Sequence, residues 1–458
     1  MTLIKSISGF RGTIGGEPGN NLTPVDAVEL SAAYGMWLLE QNKGKKVVLG
    51  RDARLSGKMI SSIVANTLVG LGFEILDLGL STTPTVEVAV PELGAAGGII
   101  LTASHNPKQW NALKLLNEKG EFISAAQGKQ LLEKIEKKEL RFAEVDDLGV
   151  YHKAKGWIDK HIDMIMARPE VNADLVKKAG LKVVVDAVNS TGGLAIPPLL
   201  KRLGIEDAEL MYCDPTGHFP HNPEPLAENL TEISAKVREL GADLGIVVDP
   251  DVDRLCFVME NGEMFGEEYT LVAVSDYLLG LKNGNAVSNL SSTRALRDVC
   301  EKHNGRYSAS AVGEVNVVDK MKEVHAVIGG EGNGGIIWPE LHYGRDALAG
   351  IALFLTFLAR EKCSMTELKA RYPQYYMSKK KLQLTDELDL DSVYAKVAGH
   401  FAKEAQSRID GLKVELAESW VHLRPSNTEP IVRVYSEALS QEAADKLADD
   451  VIALASGN

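Results

Sequence analysis

The chain has 458 residues, 45% apolar and 25% charged, values that fit a folded globular protein and exclude a disordered or fibrous one. That length allows about three or four domains at roughly 100–200 residues each. Sixty-three acidic against 50 basic residues give a formal charge of −13, which argues against a nucleic-acid-embracing surface but leaves room for a local basic pocket.

The opening MTLIKSISGFRG lacks the continuous apolar core of a secretory signal, so none is expected. Residues 45–68, KKVVLGRDARLSGKMISSIVANTL, run from a β-rich apolar stretch through a small polar turn into helical periodicity. The same design returns at 181–204 and 284–305, which predicts an α/β fold with mixed or parallel sheets. Within the first third, GAAGGIILTA predicts a strand ending on Thr102–Pro107, after which WNALKLL resumes with a helix-like pattern.

The charged stretch 134–156 marks a first border, and WIDKHIDMIMA predicts a helix that opens the next domain. A second border follows the DPDVDRLCFV segment, and a third falls near Pro373. The expected domains are 1–153, 154–255, 256–370 and 371–458, the last a small α+β domain ending in an amphipathic helix. ALAGIALFLTFLA at 347–359 is about seven residues short of the ~20 that cross a bilayer, and reads as a buried helix. Cys213, Cys256, Cys300 and Cys363 lack C-x-x-C spacing, so they are expected to be reduced core residues in a cytoplasmic protein, without thiolate-bound metal.

Four polar loops carry the chemistry. Pro107 cannot extend the ladder, so Ser104 is expected exposed at a sheet end; alone it reads more readily as a plain turn former. No G-x-S-x-G elbow supports a serine hydrolase. In ADLGIVVDPDVDRL an apolar strand ends on Asp249, Asp251 and Asp253. Clustered carboxylates raise one another's pKa unless a cation sits among them, and oxygen-only donors suit magnesium. An acidic turn facing water is the alternative. Arg254, next in line, suits a phosphate.

In GGEGNGGIIWPEL, Glu331 and Asn333 stand between glycines, an acceptor beside a donor–acceptor that matches sugar hydroxyls; a flexible turn is the plainer reading. In HLRPSNTEPIVRVYSE, Arg424, Ser426, Asn427 and Thr428 crowd a turn between two β-like runs, with Arg433 on the second. Such a turn suits a phosphate dianion.

In this order, and across essentially the whole chain, the four loops resemble the α-D-phosphohexomutase family, which includes phosphoglucomutases, phosphomannomutases and phosphoglucosamine mutases. The resemblance implies four domains around a central cleft, three similar mixed α/β domains and a smaller α+β one. It implies that Ser104, in T-A-S-H-N-P, carries phosphate; that Asp249, Asp251 and Asp253, with Ser104, hold Mg2+; and that Glu331 and Asn333 recognise the sugar. Arg424, Ser426, Asn427, Thr428 and Arg433 match the loop gripping the distal phosphate, and Arg11, in SGFRGT, would lie beside the phosphoserine. The implied reaction interconverts hexose 6- and 1-phosphates through a hexose 1,6-bisphosphate, which also serves as activator.

Lys114 is the candidate general acid/base, its pKa expected to be lowered by desolvation. His105 is expected to orient the serine loop, and Asn111 to support the same turn. Where many relatives read G-E-x-S-G-H, this chain has Asn333 for the serine and Gly335 for the histidine, with His342 as a possible substitute. The Glu-x-Asn-Gly pattern resembles archaeal-type phosphoglucosamine mutases, which favours glucosamine phosphates, with glucose and mannose phosphates as rivals. A D-x-D phosphatase with Asp249 as nucleophile and a non-catalytic sugar-phosphate sensor are the competing classes. The expected partners are small sugar phosphates for a monomer or homodimer, without nucleic acid or membrane.

Overall fold

A computed structural model describes residues 2–6, 9–137, 140–384, 388–426 and 431–456. It divides into two compact units, Met1–Tyr277 with Asn333–Leu368, and Leu278–Gly332 with Lys369–Asn458.

The first unit contains a seven-stranded mixed sheet in the order Ile4–Ser6, Gly9–Thr13, Trp110–Leu116, Gly97–Leu101, Lys46–Arg51, Glu74–Leu80, Val150–Lys153. Gly97–Leu101 runs parallel to Lys46–Arg51 and antiparallel to Trp110–Leu116, with Leu101 opposite Leu113. The helix-like run WNALKLL is therefore a strand. It lies between two neighbours, Gly9–Thr13 and Gly97–Leu101, and is mostly buried. Its apolar residues do not alternate, and a short run of that kind has no periodicity to separate strand from helix.

The second sheet of this unit has the order Leu255–Met259, Leu244–Val248, Val183–Asp186, Glu209–Met211. Leu255–Met259 pairs antiparallel with Leu244–Val248 along its whole length, so this sheet continues past residue 255 to Met259. The hairpin joining the two strands carries the three aspartates. The helix Ala347–Glu361 is buried from Ala347 to Ala359, which explains a sequence that is apolar all round. Its Phe354 ring stacks on Phe257 at 4.0 Å between centroids. Among the described residues no helix is long and apolar enough to cross a membrane.

In the second unit, Tyr307–Ser310, Asn285–Asn289 and Ala326–Glu331 form parallel pairs. A five-stranded antiparallel sheet follows in the order Tyr376–Gln383, Ile431–Ala438, Trp420–Pro425, Leu412–Glu415, Ala405–Ser407. Its core joins Val414, Leu423 and Val434 to Val397 and Val451 of the helices Leu390–His400 and Gln441–Ser456. Cys256 and Cys300 are buried as expected, whereas Cys213 and Cys363 are only partly covered.

Candidate active site

Ser104 follows the strand Gly97–Leu101 and adopts φ 48°, a left-handed conformation that a non-glycine residue holds only when its surroundings over-determine it. The expected exposure is not observed: Ser104 is 8% exposed. The reason is a buried polar scaffold under the loop. Asp52 Oδ2 accepts from Thr102 Oγ1 at 2.7 Å, and Thr102 Oγ1 accepts from Ser104 N at 3.0 Å. Arg54 Nε donates to Asp52 Oδ2 at 2.9 Å. Its fork donates to Pro107 O at 2.8 Å, Trp110 O at 3.0 Å, Asn106 O at 2.6 Å, and also to Ser104 O.

Burial pushes the Asp52 carboxyl up, and Arg54 opposes that shift. Sequence reasoning missed Asp52 and Arg54, although both stand in the polar turn of the first strand–turn–helix unit. Asn111 donates to Ser56 Oγ at 2.9 Å and so braces the neighbouring turn.

The Ser104 hydroxyl donates to Asp249 Oδ2 at 2.7 Å. Asp249 Oδ1 accepts from the backbone N–H groups of Asp253 at 3.2 Å and Arg254 at 3.1 Å. Val252 has φ 63°, an outlier for a β-branched residue, and lies between Asp251 and Asp253. Asp251 Oδ2 accepts from Thr83 Oγ1 at 2.5 Å and Lys114 Nζ at 2.8 Å. Asp253 Oδ2 accepts from Lys114 at 3.2 Å and Arg345 at 2.6 Å.

One carboxylate oxygen from each aspartate lies within 4.8 Å of the others. Asp251 Oδ1 and Asp253 Oδ1 are buried without a hydrogen-bond partner, as ligand oxygens awaiting a cation would be. Burial, then Asp253 and Asp251, push the Asp249 carboxyl well above its usual range. Burial would do the same to Asp253, but Arg345, Lys114 and Arg254 hold it below. The trio can hold a divalent cation, and its oxygen-only chemistry favours a hard one. Lys114, Arg254 and Arg345 balance the three aspartates, so a bound divalent ion would leave a net charge of about +2, matched to a phosphate group of about −1.5 to −2.

The other expected residues divide. Arg254 is nearly buried; its Nη1 lies 3.4 Å from Glu224 Oε1, and its Nε has no hydrogen-bond partner. His105 Nδ1 is 3.4 Å from Ser104 Oγ. Burial and then Arg254 push its pKa down to about 3, so it is a neutral neighbour of the serine. Lys114 does not behave as expected. Burial alone would lower its pKa, but Asp251 and Asp253 raise it above the ordinary value, so it is a committed cation. Arg11 lies on Gly9–Thr13 opposite Ala112, with its side chain exposed. Asn333 Oδ1 accepts from Gly335 N at 3.2 Å.

His342 does not fill the place left by Gly335; it contacts Asp346 and Glu87. Arg345 fills it instead, since a Cβ on Gly335 would stand 2.3 Å from Arg345 Cδ. Gly335→His is therefore expected to displace Arg345 from Asp253. Losing such a charge-assisted hydrogen bond costs about 1.5–3 kcal/mol, or about 10- to 100-fold in kcat. Steady-state kinetics beside Arg345→Gln checks this; unchanged kcat in both variants would contradict it.

In the second unit, Glu331 is 5% exposed, and its Oε1 accepts from Asn289 Nδ2 at 3.0 Å and Gly313 N at 3.1 Å. Arg424 and Arg433 are directly opposed on antiparallel strands, and Lys381 opposes Arg433 on the other side. Opposed residues share a face, so three cations form a row, and like charges so placed are relieved by an anion. Lys381 was missed because its KKK run reads as a border. Asp410 Oδ2 orients Arg424 Nε at 2.9 Å. Ser426 N donates to Ile431 O at 2.9 Å. Asn427 and Thr428 lie outside the described residues.

His422, two residues before Arg424, lies 2.6 Å from Asp410 O through Nε2 and 2.9 Å from Ser291 Oγ through Nδ1. Burial pushes its pKa down from 6.5 to about 4. The unfolded chain binds that proton first, so this contribution is complete above pH 6.5 and is lost as pH falls through about 4. Urea unfolding of His422→Gln should lose one proton's worth of pH dependence in that window; an unchanged slope would contradict the assignment.

A buried hydroxyl set against three carboxylates and three cations is the equipment of a metal-assisted phosphoryl-transfer enzyme. Family models for the phosphoglucomutase/phosphomannomutase α/β/α domains I, II and III match residues 3–142, 159–262 and 266–376, and the C-terminal domain model matches 380–454. The chain belongs to the phosphoglucomutase/phosphomannomutase family: it is a four-domain phosphohexomutase, an intramolecular phosphotransferase and thus an isomerase.

A phosphoglucomutase/phosphomannomutase of Thermococcus kodakarensis is 34% identical, over 94% of this chain and 95% of its own. A phosphoglucosamine/phosphogalactosamine mutase of Sulfurisphaera tokodaii is 30% identical over 100% of both chains. The crystal structure of a phosphoglucomutase/phosphomannomutase family protein from Burkholderia thailandensis superposes with TM-score 0.85 at 27% identity, covering 99% of this chain and 97% of that one.

Proposed function

We propose that this phosphohexomutase interconverts glucosamine 6-phosphate and glucosamine 1-phosphate through phospho-Ser104 and a hexose 1,6-bisphosphate, with Mg2+ held by Asp249, Asp251, Asp253 and the Ser104 oxygen. The observation that carries this reading is the 2.7 Å contact between Ser104 Oγ and Asp249 Oδ2, which sets the phosphate-carrying oxygen against the carboxylate trio. When bound, the cation supplies charge neutralisation at the transferring phosphoryl group.

The rest falls to the chain. Phospho-Ser104 gives its phosphoryl group to the free hydroxyl of the hexose monophosphate, whose proton passes to the leaving Ser104 oxygen; the bisphosphate turns end for end, and the Ser104 oxygen takes the other phosphoryl group back while its proton passes to the sugar oxygen released. Arg254, with its unpartnered Nε, neutralises charge on the phosphoryl oxygens. Lys114 and Arg345 hold Asp251 and Asp253 in place. As a cation, Lys114 donates hydrogen bonds and protons and does not take the hydroxyl proton as a resting base. His105 positions the serine loop, and Arg11 lies on Gly9–Thr13, the strand paired with Trp110–Leu116.

Glu331 and Asn333 recognise the sugar hydroxyls; Arg424, Ser426, Asn427, Thr428 and Arg433, joined by Lys381, hold the distal phosphate. Specificity for the 2-amino group follows the Glu-x-Asn-Gly pattern and the phosphoglucosamine mutases among the relatives.

A second reading, glucose and mannose phosphates, is favoured by the Thermococcus relative at 34% identity. A coupled assay with glucosamine, glucose, mannose and N-acetylglucosamine phosphates, in magnesium with a bisphosphate activator, separates them. The expected result is the highest kcat/KM for glucosamine phosphates. A preference for glucose or mannose phosphates would replace the substrate assignment and leave the phosphoserine mechanism standing.

A further inference from the structure

A second group of metal-ligating side chains lies in the first unit, apart from the aspartate hairpin. His161 is on the helix Trp157–Met166, Glu87 on the helix Thr83–Glu92, and Asp346 caps the helix Ala347–Glu361 four residues after His342. His161, Asp346 and Glu87 are fully or almost fully buried, and the His342 side chain is 11% exposed. Asp346 Oδ2 lies 3.0 Å from His161 Nε2 and 3.3 Å from His342 Nε2, and one ligand atom from each of the three residues lies within 4.8 Å of the others. Donors bound at about 2.0–2.2 Å to a tetrahedral zinc ion stand about 3.3–3.6 Å apart. The two separations from Asp346 Oδ2 are already near that spacing.

What surrounds them resembles the outer shell of a metal site, where each ligating imidazole gives its second nitrogen a partner. Thr85 Oγ1 is 3.1 Å from His161 Nδ1 and can hydrogen-bond to it, and Glu87 Oε2 lies 3.4 Å from His342 Nδ1, close by but not in hydrogen-bond geometry. The remaining Asp346 oxygen accepts from Leu348 N at 2.9 Å and Ala349 N at 3.1 Å, which turns Oδ2 towards the imidazoles. Gly344 makes room for the cluster: a Cβ there would stand 1.9 Å from Glu87 Oε2 and 2.9 Å from His342 Cε1.

The charge of a divalent cation there would offset the two buried carboxylates of Asp346 and Glu87.

We propose that His161 Nε2, His342 Nε2 and Asp346 Oδ2 bind a divalent transition cation, zinc(II) being the best chemical match, which fastens the helices Trp157–Met166 and Ala347–Glu361 to each other, with Thr85 and Glu87 of a third helix as its outer shell. Imidazole separates this site from the aspartate hairpin, whose oxygen-only set suits a hard cation.

The test uses the full chain, stripped with a chelator and saturated with magnesium, then titrated with zinc chloride while zinc stoichiometry and thermal unfolding are followed. Wild type and Asp251→Asn should each bind one zinc and unfold at a higher temperature, and His342→Gln should lose both effects. Thr85→Val, which keeps all three ligands, should bind zinc about 10- to 100-fold more weakly. Zinc effects that vanish in Asp251→Asn and persist in His342→Gln would assign the ion to the hairpin and overturn the site. So would the absence of a zinc effect in every protein. If His342→Gln does not fold, Thr85→Val decides, and unaltered zinc affinity there overturns the proposal.

Discussion

Ser104→Ala is expected to reduce hexose-phosphate turnover by at least about 10⁴-fold, the scale on which removing a covalent nucleophile is felt, while leaving the fold intact. No neighbour can take over the role. Thr102 Oγ1 is already committed to Asp52 and to the Ser104 backbone, and His105 is held neutral 3.4 Å away. The folded state loses the donor to Asp249 Oδ2 while Asp249 Oδ1 keeps its two backbone donors, so the stability loss should be about 1–3 kcal/mol. The measurement is kcat for both directions of interconversion, together with intact-mass detection of covalent phosphate. Turnover within tenfold of wild type would remove the phosphoserine mechanism. Phosphate found on Asp249 would point to an aspartyl-phosphate enzyme.

Arg54→Ala is expected to have the largest effect on stability, about 3–5 kcal/mol, because it leaves the buried Asp52 carboxylate without its cation. It also strips a donor from the carbonyls of Ser104, Asn106, Pro107 and Trp110. The same change frees the serine loop from its left-handed conformation, so kcat should fall even in the fraction that remains folded. Arg54→Lys should rescue little, since one ammonium cannot reproduce a planar fork that reaches five acceptors. Urea unfolding and kcat at a permissive temperature test both halves. A loss below about 1 kcal/mol would show that the scaffold under the loop is not stabilised by this arginine.

The polar loops to which the chemistry is assigned were legible in the sequence. Small polar residues after apolar runs mark strand ends, and carboxylates at alternate positions beside an arginine signal a cation and a phosphate wherever they occur. The pairing of Trp110–Leu116 was not legible, because a short strand flanked on both sides loses the alternation that separates it from a helix. The protonation of Lys114 was misjudged for a related reason: desolvation can be guessed from an apolar neighbourhood, but not the approach of Asp251 and Asp253, 137 and 139 residues away in sequence. Arg345 offered no signal, since its role depends on the space above Gly335.

The sequence by itself determined the strand–turn–helix units, the family and the kinds of functional group present, because these depend on local periodicity and residue chemistry. Tertiary structure alone decided the burial of Ser104, the charge state of Lys114 and the gathering of His161, His342 and Asp346. Burial and Coulomb interactions depend on distances in space, and folding sets those between residues far apart along the chain.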